Sequence, residues 1–183
     1  MRKTVVLIVG TNCTGKSTVV RKLITRFGGV LKEESNITYL NDRRISVIGA
    51  YGGNRTYSGI DRLSNTSLLQ QIVRQALTNS DIVIGEGLIV GTFGINPLNA
   101  FFAAENQLCV FLYADKSTLS ERLFQRAGYQ NNGGGLKIMT RQRRILNAVK
   151  KYSAIGIPVL PIDTSTTSAD IIVDLIIQKL KLQ

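Results

Sequence analysis

The sequence predicts an α/β protein with three layers, in which helices cover both faces of a parallel sheet. Short β-branched apolar runs alternate along the chain with segments whose apolar residues recur at helical spacing. A glycine-rich segment, residues 10–17, separates the first apolar run from the first helical segment. The 183 residues, 44% of them hydrophobic, suffice for one sizeable core. We therefore expect a single domain over residues 1–183.

The N-terminal part begins with a buried strand, since residues 4–9 are β-branched and apolar. A helix follows over 16–27, where apolar residues at 20, 23, 24 and 27 form one face. Two short β-prone runs, 37–40 and 45–50, lead into a polar loop rich in glycine and tyrosine at 51–59. Such loops often carry function.

The middle of the chain predicts a helix over 66–78, then a core strand over 81–87 that ends in an acid between two glycines, Glu86. A short helix over 96–104 is predicted because Asn96 suits the N-cap and Pro97 the first helical position.

The C-terminal part continues the alternation. Strands are predicted at 108–113 and 157–162, and helices at 115–126, 136–154 and 168–182. The glycine- and asparagine-rich segment at about 127–136 separates two basic helices, and we interpret it as a lid.

The segment at 10–17 has the pattern G-x-x-x-x-G-K-S of a phosphate-binding P-loop, and it lies between a strand and a helix as that motif requires. Backbone N–H groups of this loop and of the helix N-terminus would point at one anion. The residues predicted to bind the nucleotide are Gly10, Thr11, Asn12, Cys13, Thr14, Gly15, Lys16, Ser17 and Thr18.

The motif predicts ATP and Mg²⁺ as ligands. Lys16 would contact the β- and γ-phosphate oxygens, and the Ser17 hydroxyl would ligate Mg²⁺. Because the chain contains no histidine, proton transfer falls to carboxylates. Glu86 is the first candidate, as a second metal ligand or as the base that activates an acceptor hydroxyl. Asp61 is the competing base, and its alternative is a role as N-cap or partner of Arg62.

Positive charge is concentrated in one part of a chain whose formal net charge is +11. Residues 122–151 include eight basic residues and no acidic one. On the predicted helix 136–154, Lys137, Arg141, Arg144 and Lys151 recur at i, i+4, i+7 and i+14, with apolar residues beside them. We call these four residues the basic stripe, and it is a candidate track for a phosphate backbone.

No run approaches the roughly 18 apolar residues of a membrane span, and no signal peptide is evident. We therefore expect a cytoplasmic protein that has no membrane partner, in the host cytoplasm if a phage encodes it. Cys13 and Cys109 lie in a loop and a buried strand, so a disulfide between them is not expected. The sequence leaves the oligomeric state open, although a sheet edge or helix face could pair subunits.

The order of P-loop, strand-end acid, arginine-bearing helix and glycine-rich segment resembles the small P-loop kinases of the nucleotide-kinase type. This resemblance covers nearly the whole chain, although only the P-loop motif is highly specific. It implies that Arg122 and Arg126 clasp the transferring phosphoryl group, and that the loop at Thr164 holds the adenine through its backbone. Family members more often have aspartate at the position of Glu86. The resemblance therefore leaves open whether Glu86 acts on the metal or as the base.

Two acceptors fit the charge distribution. In the first, the basic stripe binds DNA and an extruded nucleotide meets Arg55, Tyr57 and Arg62, with Tyr51 or Tyr57 stacking on the base. A small, very basic P-loop kinase is similar in plan to phage kinases that phosphorylate 5-hydroxymethyluracil in DNA. In the second, Arg55, Arg62 and the arginines beside the lid bind a free (deoxy)nucleoside monophosphate. The stripe would extend roughly 20 Å at 1.5 Å per residue, which favours a polymer.

A third interpretation is a nucleic-acid-binding NTPase that transfers no phosphoryl group to a second substrate. The chain is short for a motor module and shows no second motif set, so we rank this below both kinases.

Overall fold

The computed structural model of the chain describes residues 2–42, 44–52, 59–60, 66–87, 104–127 and 134–181. The strands are β1 (Thr4–Gly10), β2 (Val30–Glu34), β3 (Ile37–Leu40), β4 (Ile45–Ile48), β5 (Ile82–Gly87), β6 (Asn106–Tyr113) and β7 (Val159–Asp163). The helices are α1 (Lys16–Arg26), α2 (Thr66–Asn79), α3 (Lys116–Ala127), α4 (Gly134–Ala154) and α5 (Ala169–Lys181).

These strands form one sheet in the order β2-β3-β4-β5-β1-β6-β7. The five strands from β4 to β7 in that order are parallel. Their carboxyl ends therefore lie at one edge, where ligands bind in open α/β sheets. The predicted fold class, an α/β sheet with helices on both faces, is confirmed.

Alternate residues of β1 enter two cores, which is why its sequence is continuously apolar. Val5, Leu7 and Val9 pack with α2 and α4 on one face. Val6 and Ile8 pack with α1 and α5 on the other. A smaller cluster joins α3 to α4 beside the P-loop. Both faces of the sheet are thus covered, and the loops at its carboxyl edge are left to form a site.

One strand, β2, was not predicted, and the sheet is mixed rather than wholly parallel. β3 is antiparallel to both neighbours, β2 and β4. Ser35 and Asn36 connect β2 to β3 with φ values of 52° and 63°. Positive φ at both central residues is typical of a two-residue hairpin turn. Because every residue of β2 is exposed, no apolar alternation marks it in the sequence.

Three predicted segments fall largely outside the described residues: the polar loop at 51–59, the short helix at 96–104 and the lid at 127–136. The described part shows that α4 begins at Gly134, two residues before its predicted start, so the last residues of the predicted lid are helical. None of the described helices is long and apolar enough to cross a membrane. Cys13 and Cys109 are both free, as expected.

Candidate functional site

The predicted P-loop connects the carboxyl end of β1 to the start of α1, and both of its threonine side chains are turned inward. Thr11 and Thr14 are fully buried, and the Thr14 hydroxyl donates to the Thr11 carbonyl across 2.8 Å. Gly15, the N-cap of α1, has φ 82°, and Cys13 has φ 65°. Left-handed conformations at these two positions curl the backbone sharply, as an anion-binding loop requires.

Lys16 lies at the start of α1, and its ammonium group is turned back into the loop. The residue is only 8% exposed, and Nζ donates to the Thr11 carbonyl across 3.0 Å. A buried ammonium needs compensating partners. A phosphate in this loop would supply the matching negative charge.

Glu86 lies near the carboxyl end of β5, the strand beside β1, and is 3% exposed. Its Oε1 accepts two hydrogen bonds, from the hydroxyls of Ser17 and Tyr51, each across 2.8 Å. The structure therefore brings the predicted acid to the predicted P-loop serine.

The donor set around Ser17 fits Mg²⁺. A hydroxyl and a carboxylate are hard oxygen ligands, and Mg²⁺ usually takes one or two protein ligands together with phosphate oxygens and water. Among the described residues, no group of three or more cysteine, aspartate or glutamate side chains could hold a metal ion. A metal here would thus depend on the nucleotide for part of its coordination.

Arg122 on α3 connects the P-loop to the loop that follows β7. Its guanidinium donates to the Cys13 carbonyl across 3.3 Å, to Thr164 Oγ1 across 3.0 Å and to the Thr164 carbonyl across 2.6 Å. Thr164 in turn donates through its own hydroxyl to the Tyr113 carbonyl at the end of β6. In this structure Arg122 therefore binds main-chain oxygens at the candidate nucleotide site. Arg126 lies one turn further along α3 and is exposed.

The basic stripe lies on α4 as its spacing predicted. All four of its residues are exposed, whereas Ile138, Ile145 and Val149 are buried. The amino-terminal end of α4 contacts the P-loop, because the Thr11 hydroxyl donates to the Ile138 carbonyl across 3.4 Å. The stripe thus begins beside the candidate nucleotide site and continues along α4.

Four predicted site residues, Arg55, Tyr57, Asp61 and Arg62, lie outside the described residues. The choice between Glu86 and Asp61 as base therefore remains a prediction.

Tyr51 has a different place from the one predicted for it. The residue is 4% exposed, and the Arg21 guanidinium carbon lies 5.7 Å from its ring centroid. A ring covered in this way does not present its face to a flipped base, so stacking by Tyr51 is not supported. Sequence reasoning missed its contact with Glu86, since nothing in the sequence signals a hydrogen bond between residues 35 positions apart.

Gln142 on α4 was also missed. Its amide accepts from the Ala114 N–H and donates to the Ala114 carbonyl, across 3.2 and 2.9 Å. A glutamine among the exposed basic residues of a helix gives no signal of such a contact.

No family model matches the sequence, and no curated protein sequence matches it. Solved structures do match over nearly the whole chain. The YorR protein from Bacillus subtilis, in complex with phosphorylated GDP, is 18% identical with a TM-score of 0.62, over 97% of this chain and 96% of that one.

Two further structures are kinases. A sugar kinase from Janibacter sp. is 10% identical with a TM-score of 0.54, over 98% of this chain and 95% of that one. Deoxyadenosine kinase from M. mycoides, with dCMP and dCDP bound, is 13% identical with a TM-score of 0.51, over 98% of this chain and 100% of that one. At such identities these similarities establish a shared fold.

Proposed function

We propose that this protein is an ATP-dependent phosphotransferase that transfers the γ-phosphate to a hydroxyl group of a nucleic acid. One observation carries the proposal: the strand-end carboxylate of Glu86 contacts Ser17, the residue after the buried P-loop lysine, with 2.8 Å between Ser17 Oγ and Glu86 Oε1. A phosphate-binding loop and an adjacent carboxylate, which can act on the metal or on the acceptor hydroxyl, are the main components of a phosphoryl-transfer site.

The residues divide the work by their chemistry. The P-loop N–H groups and the Lys16 ammonium would bind and orient the β- and γ-phosphates. Mg²⁺, when bound by Ser17, Glu86 and the phosphates, would neutralise negative charge on them. Glu86 would either ligate the metal or accept the proton of the acceptor hydroxyl. Arg122 would hold the P-loop and the loop at Thr164 in register, and Arg126 would approach the phosphoryl group from α3.

The basic stripe supports a polymeric acceptor. Lys151 lies 14 positions after Lys137 on α4, which is about 21 Å at 1.5 Å per residue and exceeds the length of a mononucleotide. Its first residue neighbours Ile138, which contacts the P-loop. We propose DNA as the polymer, and the hydroxymethyl group of 5-hydroxymethyluracil in DNA as the acceptor.

A (deoxy)nucleoside monophosphate kinase is the second candidate function. The observation that favours it is the shared fold with a deoxyadenosine kinase that binds dCMP and dCDP. Both functions use the same site for the donor, and they differ in what the basic stripe binds.

A transfer assay distinguishes the candidates. The protein is incubated with γ-labelled ATP, Mg²⁺ and separate acceptors: plain DNA, hydroxymethyluracil DNA, RNA and free monophosphates. We expect label on hydroxymethyluracil DNA. Label on free monophosphates alone would refute DNA as the acceptor and would support the monophosphate kinase. ATP hydrolysis that is stimulated by DNA, with no label on any acceptor, would indicate an NTPase that transfers no phosphoryl group to a second substrate.

The role of the stripe is tested by binding to duplex DNA at several salt concentrations. Replacing Arg141 and Arg144 by Gln should reduce the slope of log K against log salt by about 1.8, because each phosphate that is no longer neutralised lowers it by about 0.9. The matched control replaces Arg143 and Lys150 by Gln, which removes equal charge from the same helix but from a different face. Equal slopes for both double variants would contradict a DNA track along the stripe.

A further inference from the structure

Tyr51 brings a third polar side chain to Ser17 and Glu86 at the candidate site, from a strand end other than those of the P-loop and Glu86. It follows β4, the strand beside β5 on the side away from β1. Its hydroxyl donates to Glu86 Oε1 across 2.8 Å, the same oxygen that accepts from Ser17. A phenol 4% exposed that donates to a carboxylate 3% exposed fixes the position of that carboxylate.

The surroundings hold Tyr51 from three directions. Its backbone N–H donates to the Thr38 hydroxyl on β3 across 3.0 Å, and that hydroxyl donates to the Gly49 carbonyl across 2.7 Å. The next N–H, that of Gly52, donates to Glu33 on β2 across 2.7 Å. The Arg21 guanidinium covers the ring from α1. The antiparallel strands β2 and β3, which do not pair with β1 in the sheet, thus serve to anchor Tyr51.

We infer that Tyr51 is a positioning residue that keeps the Glu86 carboxylate in place when Mg²⁺-nucleotide binds. The inference rests on the proposed function. A Ser17 hydroxyl that ligates Mg²⁺ through an oxygen lone pair keeps its O–H as a donor, so Ser17 and Tyr51 both donate to Glu86 Oε1. Of these two donors, Tyr51 is the one that does not itself ligate the metal, and its hydroxyl therefore serves to position the carboxylate. Tyr51 acts through Glu86 and is not itself a catalytic residue.

The test compares Tyr51→Phe with Tyr39→Phe. Tyr39 is also a buried tyrosine, 7% exposed, but its hydroxyl contacts Asn79 on α2 rather than the candidate site. We expect Tyr51→Phe to reduce kcat roughly ten- to a hundredfold, because a small displacement of a catalytic group is costly. The Mg²⁺ concentration needed for half-maximal nucleotide binding, measured by calorimetry, should rise. The KM for ATP of Tyr51→Phe at saturating Mg²⁺ should stay unchanged. For Tyr39→Phe, both kcat and the Mg²⁺ concentration for half-maximal binding should equal those of the wild type.

A double-mutant cycle shows whether Tyr51 acts through Glu86. In a Glu86→Gln background, Tyr51→Phe should produce no further loss of kcat, because groups that act as a unit are not additive. A full additional loss in that background, or a Tyr51→Phe variant indistinguishable from Tyr39→Phe, would overturn the inference. A wild-type protein that labels none of the acceptors would instead refute the proposed function.

A second measurement covers the case in which Tyr51→Phe does not fold. 3-Fluorotyrosine placed at position 51 keeps the hydroxyl, and its ¹⁹F resonance reports on the contact. Glu86→Gln and Mg²⁺-nucleotide should each shift this resonance while leaving a fluorotyrosine at position 39 unaffected. A position-51 resonance that responds to neither would overturn the inference.

Discussion

At the residue scale, the candidate site consists of polar side chains buried as deeply as the core. Thr11, Thr14, Lys16 and Glu86 are each at most 8% exposed. Burial of such groups is costly unless they are hydrogen-bonded. Thr14 and Lys16 donate to the Thr11 carbonyl within the P-loop, the Thr11 hydroxyl donates to α4, and Glu86 accepts from Tyr51. The site is therefore largely organised by the protein itself, which reduces the cost of ordering it around a ligand.

Lys16 provides the first test at this scale. Replacing Lys16 by Met should lower kcat/KM for ATP by about 10²- to 10³-fold, because the replacement removes a positioned charge from the phosphate site. Lys22→Met is the matched control: Lys22 lies on the same helix but pairs with Asp170 on α5, away from the loop. Steady-state kinetics of both variants check this, and equal kinetics would contradict the role of Lys16.

Gly59 provides the second test, because it touches the main chain and carboxyl group of Glu86. A Cβ at this position would lie 2.5 Å from the Glu86 carbonyl oxygen and 2.7 Å from Oε1. Gly59→Ala should therefore reduce the free energy of unfolding by about 1–3 kcal/mol, as overpacking does, and displace Glu86. Urea denaturation measures the stability, and the transfer assay measures the loss of activity that we expect when Glu86 is displaced.

Gly52→Ala is the control for this substitution. Its added Cβ would approach Glu33 Oε2 at 2.9 Å, but that atom ends a flexible, exposed side chain, so its movement costs only the exposed hydrogen bond from the Gly52 N–H. A loss of stability as large as that of Gly59→Ala would show that steric contact with Glu86 is not the cause.

At the element scale, α4 joins the basic surface to the sheet and the P-loop. Its buried face packs on the core, and Gln142 pairs with both main-chain polar groups of Ala114, the residue after β6. Together with the contact between Thr11 and Ile138, this fixes the end of α4 that lies nearest the P-loop. A polymer bound on the stripe would thus be held in a defined position relative to the donor.

Gln142 tests how firmly α4 is held. Gln142→Ala should reduce the free energy of unfolding by about 1–3 kcal/mol, because it leaves two partly buried main-chain groups without their partner. Asn147→Ala, an exposed position on the same helix, should change it by no more than about 0.5 kcal/mol. Urea denaturation of both variants is the measurement, and similar losses would contradict the structural role of Gln142.

The same scale shows what the sequence could predict. The buried and exposed faces of α4 were predictable because its apolar and basic residues each follow the 3.6-residue period. β1 and the P-loop were predictable because a fully buried strand is continuously apolar and the motif has fixed spacing. β2 was not, since an exposed edge strand carries charges on both faces. The contact of Tyr51 with Glu86 was not either, because it depends on β4 lying beside β5, and strand order is not written in local patterns.

At the scale of the whole molecule, the excess of positive charge is unevenly placed. Acidic residues pair with basic ones along α1 and α5 and at the start of β5. The stripe on α4 lies in a segment of the sequence that contains no acidic residue. The fold thus separates a side on which α5 supplies acidic partners to α1 from a helix, α4, that has basic residues and no acidic one and lies on the opposite face of the sheet. Such a field would increase the rate of encounter with a polyanion, and more so at low salt.

Two aspartates with lowered pKa values, Asp81 and Asp115, predict how the stability of the protein depends on pH. Hydrogen bonds from Arg44 and then Lys3 lower the pKa of Asp81, and hydrogen bonds from the Ser117 hydroxyl and the Thr118 N–H lower the pKa of Asp115. A lowered pKa in the folded state means that the unfolded chain binds more protons in the acid range. The stabilisation is therefore present above the unfolded aspartate pKa of about 3.9 and is lost as the pH falls below it. With no histidine in the chain, we expect little change between about pH 6 and 8. Urea denaturation at constant ionic strength checks this, with Asp81→Asn expected to flatten the acid limb, and equal stability at about pH 3 and pH 7 would contradict it.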